Sequence, residues 1–247
     1  MTRQLRAQGV EIYTGAEVLP DYYQENSQII SKIKNNKGDI TELKVNKILL
    51  SVGRVANVQG IGIEKTKIQQ ANGFIQVNKM YETMEKNIYA IGDVIGGMQL
   101  AHVAAGEGRI AVEHMAGLHP LVMDYGMIPR CVYSRPEVAS VGLTEKEARD
   151  LGYQIKVGKV PFMSIGKALI NGDSEGFCKI IEDQETRDLL GIHLIGSGVT
   201  ELIGEGVLAR TLDATAGELA SMIHPHPSLS EIFGETALDV DKLAIHF

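Results

Sequence analysis

Two histidines interleaved with prolines, His224-Pro225-His226-Pro227, form the stretch of this sequence best suited to moving a proton. Imidazole is the side chain that changes charge near neutral pH. Proline restricts the backbone on either side of His226, so the ring is carried on a rigid turn rather than a mobile loop. Glu231 lies five residues further on, about one turn inside a helix predicted to begin after Ser228. From there its carboxylate can bond one ring nitrogen, fixing the tautomer and leaving the other nitrogen to act as a base. Ser228-Leu229-Ser230-Glu231 is also a capping box, in which Glu231 would serve the start of the helix instead. The residues by themselves leave both uses open.

Asp93 is the second candidate. Ile88-Tyr89-Ala90-Ile91 reads as a short apolar strand, Gly92 permits a close backbone approach, and Asp93 stands at the strand's carboxyl end. In open parallel sheets ligands bind at that end. A helix is predicted from about Leu100 to Met115 and ended by Gly117, with Leu100, Val103, Ala104, Ala111 and Met115 along one side. A carboxylate accepts from hydroxyls and a helix amino terminus favours negative charge, so the arrangement suits a hydroxyl-bearing ligand. Asp93 could equally be a helix N-cap or a turn former. Gly196-Ser197-Gly198 imitates a dinucleotide fingerprint, but Glu201 takes the third glycine position and no acidic partner follows at the expected distance. A tight strand-to-helix turn is the better reading.

The elements that must position these groups fall into three segments. In the first, Gln4 to Gln8 reads as the tail of a helix closed by Gly9, followed by a strand through Val10, Ile12 and Tyr13. Ile29–Lys34 and Leu43–Val45 flank the turn Asn36-Lys37-Gly38-Asp39 as a hairpin. Ile48-Leu49-Leu50-Ser51-Val52 is nearly continuous apolar sequence, as expected of a strand buried on both faces. The second segment carries Asp93 and its helix. The third reads as a self-contained α+β unit, with strands at 132–133, 138–141, 154–160, 177–181 and 189–195. Thr144-Glu145-Lys146-Glu147 is a capping box opening a short helix that Gly152 closes, and further helices are predicted over 200–213 and after Ser228.

Composition narrows the function classes. The chain has 247 residues, 44% of them hydrophobic, enough to bury one or two cores. The net charge of -7 argues against binding a phosphate backbone, so no nucleic-acid partner is expected. No run approaches the roughly 20 apolar residues that span a bilayer, and Met1–Arg6 leads into no apolar segment, so neither a membrane partner nor a signal peptide is expected. Cys131 and Cys178 lie far apart and form no CxxC-type pair. They are read as buried, reduced thiols, which implies a cytoplasmic location or, in a eukaryote, the mitochondrial matrix. No metal site is expected.

Taken together, Val52-Gly53-Arg54, Tyr89-Ala90-Ile91-Gly92-Asp93, Leu100-Ala101-His102 and the His224–Glu231 stretch resemble the pyridine nucleotide-disulfide oxidoreductases, and among them the dihydrolipoamide dehydrogenases. The resemblance continues through Pro136-Glu137-Val138-Ala139, Val141-Gly142-Leu143-Thr144-Glu145 and Leu190-Gly191-Ile192-His193. It implies that His226 is the acid/base residue, Glu231 its orienting carboxylate and His224 a neighbour of minor role. It implies that Gly92 and Asp93, with Gln99, Leu100, Ala101 and His102, contact FAD, and that Gly53 borders the nicotinamide nucleotide. Met98-Gln99 stands where Pro-Met is more usual, and Ala56 where proline is, which weakens Gln99 more than Asp93.

The same resemblance gives an expected organisation. Residues 1–53 would be the tail of an NAD-binding domain, 54–124 the central part of an FAD-binding domain, and 125–247 an interface or dimerisation domain. The fold class is therefore an α+β dimerisation domain preceded by truncated α/β nucleotide-binding segments. Family members are about twice this length. A redox cysteine pair, a flavin fingerprint and a nicotinamide fingerprint are missing, so the chain is expected to be a fragment, inactive alone, with FAD and NAD bound weakly or not at all. A homodimer is implied, as is docking on the lipoyl-bearing acyltransferase core of a 2-oxoacid dehydrogenase complex. The rival reading is a non-catalytic dimerisation module or a fragment of a related disulfide reductase.

Overall fold

The isoleucine-rich segment Ile29–Lys34 lies at the centre of the first sheet. In the computed structural model, which describes residues 1–247, a short helix α1 (Thr2–Ala7) precedes strands β1 (Glu17–Glu25), β2 (Gln28–Lys34) and β3 (Ile40–Val45). They pair antiparallel in the order β1-β2-β3, and the central strand buries Ile30 and Ile33. The β2–β3 turn is held by Asn35, whose Oδ1 accepts from the amides of Lys37 at 2.9 Å and Asp39 at 3.0 Å. Strand β1 carries no strand signal in the sequence because it contains Pro20, is almost wholly exposed and is irregular between Val18 and Tyr22. These are the marks of an edge strand.

Three predicted strands do not form. Val10–Tyr13, Ile48–Val52 and Ile88–Ile91 all lack regular strand structure. Leu49 and Leu50 are exposed rather than buried on two faces. A strand of that kind needs hydrogen-bonded neighbours and helices over both faces, and no segment of this chain supplies them. Ile88–Ile91 makes one bridge, Glu82 to Tyr89, flanked by the bonds from the Thr83 amide to the Ile88 carbonyl and from the Ala90 amide to the Tyr81 carbonyl, and the Ile88 amide donates to the Glu85 carbonyl. The rest of this unit holds the two-residue strands β4 (Gln70–Ala71) and β5 (Phe74–Ile75) and the helix α2 (Ala101–Met115). Helix α2 buries Val103, Glu107, Ile110 and Ala111, whereas Met115, expected on the same side, is exposed. Positions 103, 107, 110 and 111 follow the helical repeat, and 115 lies in the last turn, beyond the apolar cover.

The chain divides into two compact units, residues 2–118 and, with Met1, residues 119–247. The sequence places the boundary a few residues later, at 124/125. The second unit contains β6 (Arg130–Val132), β7 (Glu137–Gly142), α3 (Glu145–Asp150), β8 (Ile155–Pro161), α4 (Gly166–Ile170), β9 (Phe177–Asp183) and β10 (Leu189–Gly196). Helices α5 (Val199–Thr211), α6 (Ala216–Ser221) and α7 (Glu231–Val240) complete it. The five strands form one antiparallel sheet in the order β6-β7-β10-β9-β8. Helix α5 packs on β7 and β10, and α7 on β8 and β9. Ile180, Ile192, Leu194, Val199, Ile203 and Phe233 meet in the main core. Ile181 points to the other face, where it packs with Ala148 of α3 and Leu190. The Thr144 capping box forms with both of its bonds. No helix is long and apolar enough to cross a membrane.

Candidate functional site

After α6 the chain runs extended through Met222 to the two histidines and enters α7 at Ser230. The predicted competition for Glu231 resolves into a division of labour. Its Oε1 accepts from His226 Nδ1 at 2.8 Å, while its Oε2 accepts from the Ser228 amide at 2.9 Å. The capping box is therefore half made, because the Ser228 hydroxyl bonds the Ser230 hydroxyl at 2.9 Å instead of closing it. The His226 side chain is 77% exposed and Glu231 25%. Partial burial pushes the Glu231 carboxyl up, but the Ser228 amide and the His226 ring outweigh it and hold the carboxyl below its ordinary range. With Nδ1 bound to the carboxylate, Nε2 of an exposed ring is the nitrogen left to take or give a proton.

The imidazole opens on a cavity of about 280 Å³ lined by His224, His226, Glu231, Glu235, Leu238 and His246, among others. Two further histidines in its wall are paired with carboxylates. His224, almost fully buried, places Nε2 at 2.8 Å from Glu205 of α5, with its ring packed beside Gly234 of α7. His246 places Nδ1 at 2.8 Å from Glu235 Oε1. No three His, Cys, Asp or Glu side chains are grouped so as to hold a metal ion. What the cavity wall offers is a set of paired imidazoles and carboxylates, the equipment of proton transfer.

In the other unit, Gly92–Ile95 is a short 3-10 turn carrying Asp93. Gly92 has φ +73°, and a Cβ there would stand 3.0 Å from the Ala104 side chain. Its amide donates to the buried Glu107 carboxylate at 2.6 Å. Asp93 Oδ2 meets Arg54 Nη1 at 2.9 Å, and the same guanidinium nitrogen donates to the Gln99 carbonyl at 3.1 Å. Gln99 has φ +50° and Leu100 then opens α2 with no side-chain cap. Ala101 and His102 form the first turn of α2, directly after the Gln99 carbonyl that shares the Arg54 guanidinium with the half-exposed Asp93 carboxylate. Such a donor and acceptor set fits a polyhydroxylated chain and the edge of an electron-rich ring, the two features of FAD that the sequence resemblance implies. Gly53, at φ +136°, lies in exposed, irregular backbone, and a Cβ there would meet nothing within 4 Å.

Two sequence profiles match the chain. Residues 1–108 match the pyridine nucleotide-disulphide oxidoreductase family, and residues 128–237 match that family's dimerisation domain. The chain belongs to the pyridine nucleotide-disulphide oxidoreductase family. Among its relatives, the dihydrolipoyl dehydrogenase of Bacillus subtilis is 53% identical over 247 residues, covering all of this chain and 52% of that protein. The dihydrolipoyl dehydrogenase of Thermus scotoductus is 41% identical, covering 100% and 53%. The HOCl-induced flavoprotein disulfide reductase RclA from Escherichia coli superposes with a TM-score of 0.87 at 27% identity, over 96% of this chain and 53% of that one. The chain thus spans about half the length of the curated relatives it matches.

Within this pyridine nucleotide-disulphide oxidoreductase chain, sequence reasoning brings His226 and Glu231 to one place but misses Glu205, Glu235 and His246. Glu235 is legible in principle, since it lies four residues beyond Glu231 and so on the same helical face. His246 is not, because nothing local ties residue 246 to residue 235. Glu107 is also missed, hidden as one more residue of an amphipathic helix.

Proposed function

We propose that this chain is the carboxyl-terminal part of a flavoprotein that reoxidises dihydrolipoamide with NAD, and that it supplies the acid/base histidine and the dimer interface. The observation that carries the reading is His226 held through Nδ1 by Glu231 on the rim of a cavity. Oxidising a dithiol requires thiolates, because the thiolate is the attacking species in disulfide exchange. His226 Nε2 takes the thiol proton, the pair with Glu231 stabilises the imidazolium that results, and the thiolate is then free to attack a disulfide. That disulfide is not in this chain: Cys131 and Cys178 lie on one row of the sheet, separated by β7 and β10, about 14 Å apart at ~4.8 Å per strand. Asp93 and the amides of Leu100, Ala101 and His102 would hold FAD on one side, and FAD would supply the two-electron relay between thiols and nicotinamide.

Two partners belong to the same proposal: a second copy of the chain, through the segment that matches a dimerisation domain, and the basic surface of a lipoyl-bearing acyltransferase core. The formal charge of -7 suits the latter. Raising the salt should weaken such docking.

A chimera tests the reading directly, with this chain replacing the matching half of the Bacillus subtilis dihydrolipoyl dehydrogenase. The chimera should bind flavin and oxidise dihydrolipoamide, and His226→Gln within it should lower kcat/KM by about 10²-fold or more. The chain alone should show no such activity and carry far less than one flavin per chain. A folded, flavin-loaded chimera that retains activity in His226→Gln overturns the assignment.

A further inference from the structure

The segment Leu243–Phe247 is mostly solvent-exposed, yet it is fastened to α7 by three bonds to one carboxylate. Glu235 Oε2 accepts from the amides of Ile245 and His246, each at 3.0 Å, and Oε1 accepts from His246 Nδ1 at 2.8 Å. The carboxylate is largely buried, so its charge would be costly unless bonded, and both oxygens are. Burial pushes the Glu235 carboxyl up, while the His246 amide, the His246 ring and the Ile245 amide outweigh it and keep it low. The clasp is therefore closed at neutral pH. Glu231 and Glu235 are four residues apart, which puts two histidine–carboxylate pairs on successive turns of one helix face, lining one cavity. His246 and Glu231 line the same cavity, and His246 is among the groups that hold the Glu231 carboxyl low, in the same sense as His226.

We propose that Glu235 and His246 are positioning residues for His226: the clasp sets the segment Leu243–Phe247 as a wall of the cavity and places a second imidazole beside the His226–Glu231 pair. This rests on the reading of His226 as the acid/base group, but its geometry stands independently of it. His246 acts through Glu231, by field and by confinement, and touches no reacting atom. The pair has a recognisable logic, since each ring binds its carboxylate through Nδ1 and leaves Nε2 unbonded.

The test uses the whole 247-residue chain and reads structure and charge rather than turnover. In wild type, ring ¹⁵N spectra should show His246 fixed as the Nδ1–H form, and hydrogen exchange should show protected amides at Ile245 and His246. Glu235→Gln should speed exchange of those two amides at least tenfold and release the tautomer, and Glu235→Asp should restore part of the protection. His246→Gln keeps the backbone bonds but removes the ring, so it should leave exchange near wild type while the Glu231 carboxyl, followed by ¹³C titration, moves up. Unprotected amides at 245 and 246 in wild type would overturn the clasp. An unchanged Glu231 titration in His246→Gln would overturn the coupling. If Glu235→Gln does not fold, the His246→Gln arm still decides the second point and wild-type exchange the first. A chimera that fails to turn over, with the clasp intact, would instead count against the acid/base assignment of His226.

Discussion

Glu231 serves two donors with one carboxylate, and this decides what its removal should do. In Glu231→Gln the amide oxygen can accept from His226 or from Ser228, but not through two equivalent charged oxygens. Losing a partly buried helix-start interaction of this kind costs about 1 kcal/mol. The pH dependence follows from the lowered carboxyl. A carboxyl held low in the folded chain stabilises it fully above its unfolded value of about 4.3, and the stabilisation is lost as pH falls through the folded value. Urea unfolding followed by circular dichroism should therefore show the wild type ahead of Glu231→Gln at pH 7, with the gap closing as pH drops below about 4. A gap that persists unchanged at pH 3 would assign the loss to packing. Cys178 makes the opposite point about residue types: burial pushes its thiol up to about 12, with a weaker opposing bond to Thr236. It stays neutral and inert, so this cysteine is core, as its lone position in the sequence implies.

At the scale of elements, the site depends on how closely α7 lies on the sheet. Gly158 in β8 is buried under the helix, and a Cβ there would fall on the Thr236 carbonyl and within 2.8 Å of the Val240 amide nitrogen. Gly158→Ala should push α7 outward at the cost of about 1–3 kcal/mol, moving Glu231 and Glu235 with it. The expected signature is a lower unfolding midpoint together with faster exchange of the Ile245 and His246 amides; a lower midpoint with that clasp unaffected would mean the strain is absorbed elsewhere. The strands β7 to β10 and helices α3, α5 and α7 were legible because period and capping residues agree there: Thr144 and Glu147 sit where a capping box must. Ile48–Val52 and Ile88–Ile91 misled because apolar runs report a need for cover, not its presence. Gly158 and His246 were unreadable, since each matters through a contact some 80 or 10 residues away that no local pattern encodes.

At the scale of the molecule, the two units differ in how well they are supplied with core. Residues 119–247 close a sheet with helices and bury a continuous cluster that includes Ile192, Val199, Ile232 and Phe233. Residues 2–118 bury fewer apolar side chains, among them Ile30, Ile75 and Ile110, and leave Leu49, Leu50 and Val55 open to solvent. Yet the well-packed unit also presents large apolar side chains: Leu121, Tyr133, Ile170, Leu212 and Ile223 are all exposed. Exposed apolar side chains taken singly need no explanation, and they become informative where a partner surface is independently indicated. Coupled with the match of residues 128–237 to a dimerisation domain, their exposure argues that a second copy covers them. Obligate interfaces commonly bury above ~2,000 Å² and are rich in such side chains. The expected result is a species of twice the 26.9 kDa chain mass in sedimentation equilibrium at micromolar concentration. Ile223 is the sharpest probe, being 93% exposed and adjacent to the site histidines. Ile223→Asp should leave the fold of the second unit intact, because nothing in the unit covers that side chain, while placing a charge where an apolar contact is needed. If it lies at the interface, the dimer should weaken by at least tenfold in dissociation constant, about 1.4 kcal/mol. A wild-type chain that sediments as a monomer at tens of micromolar would refute the pairing, whatever the variant does.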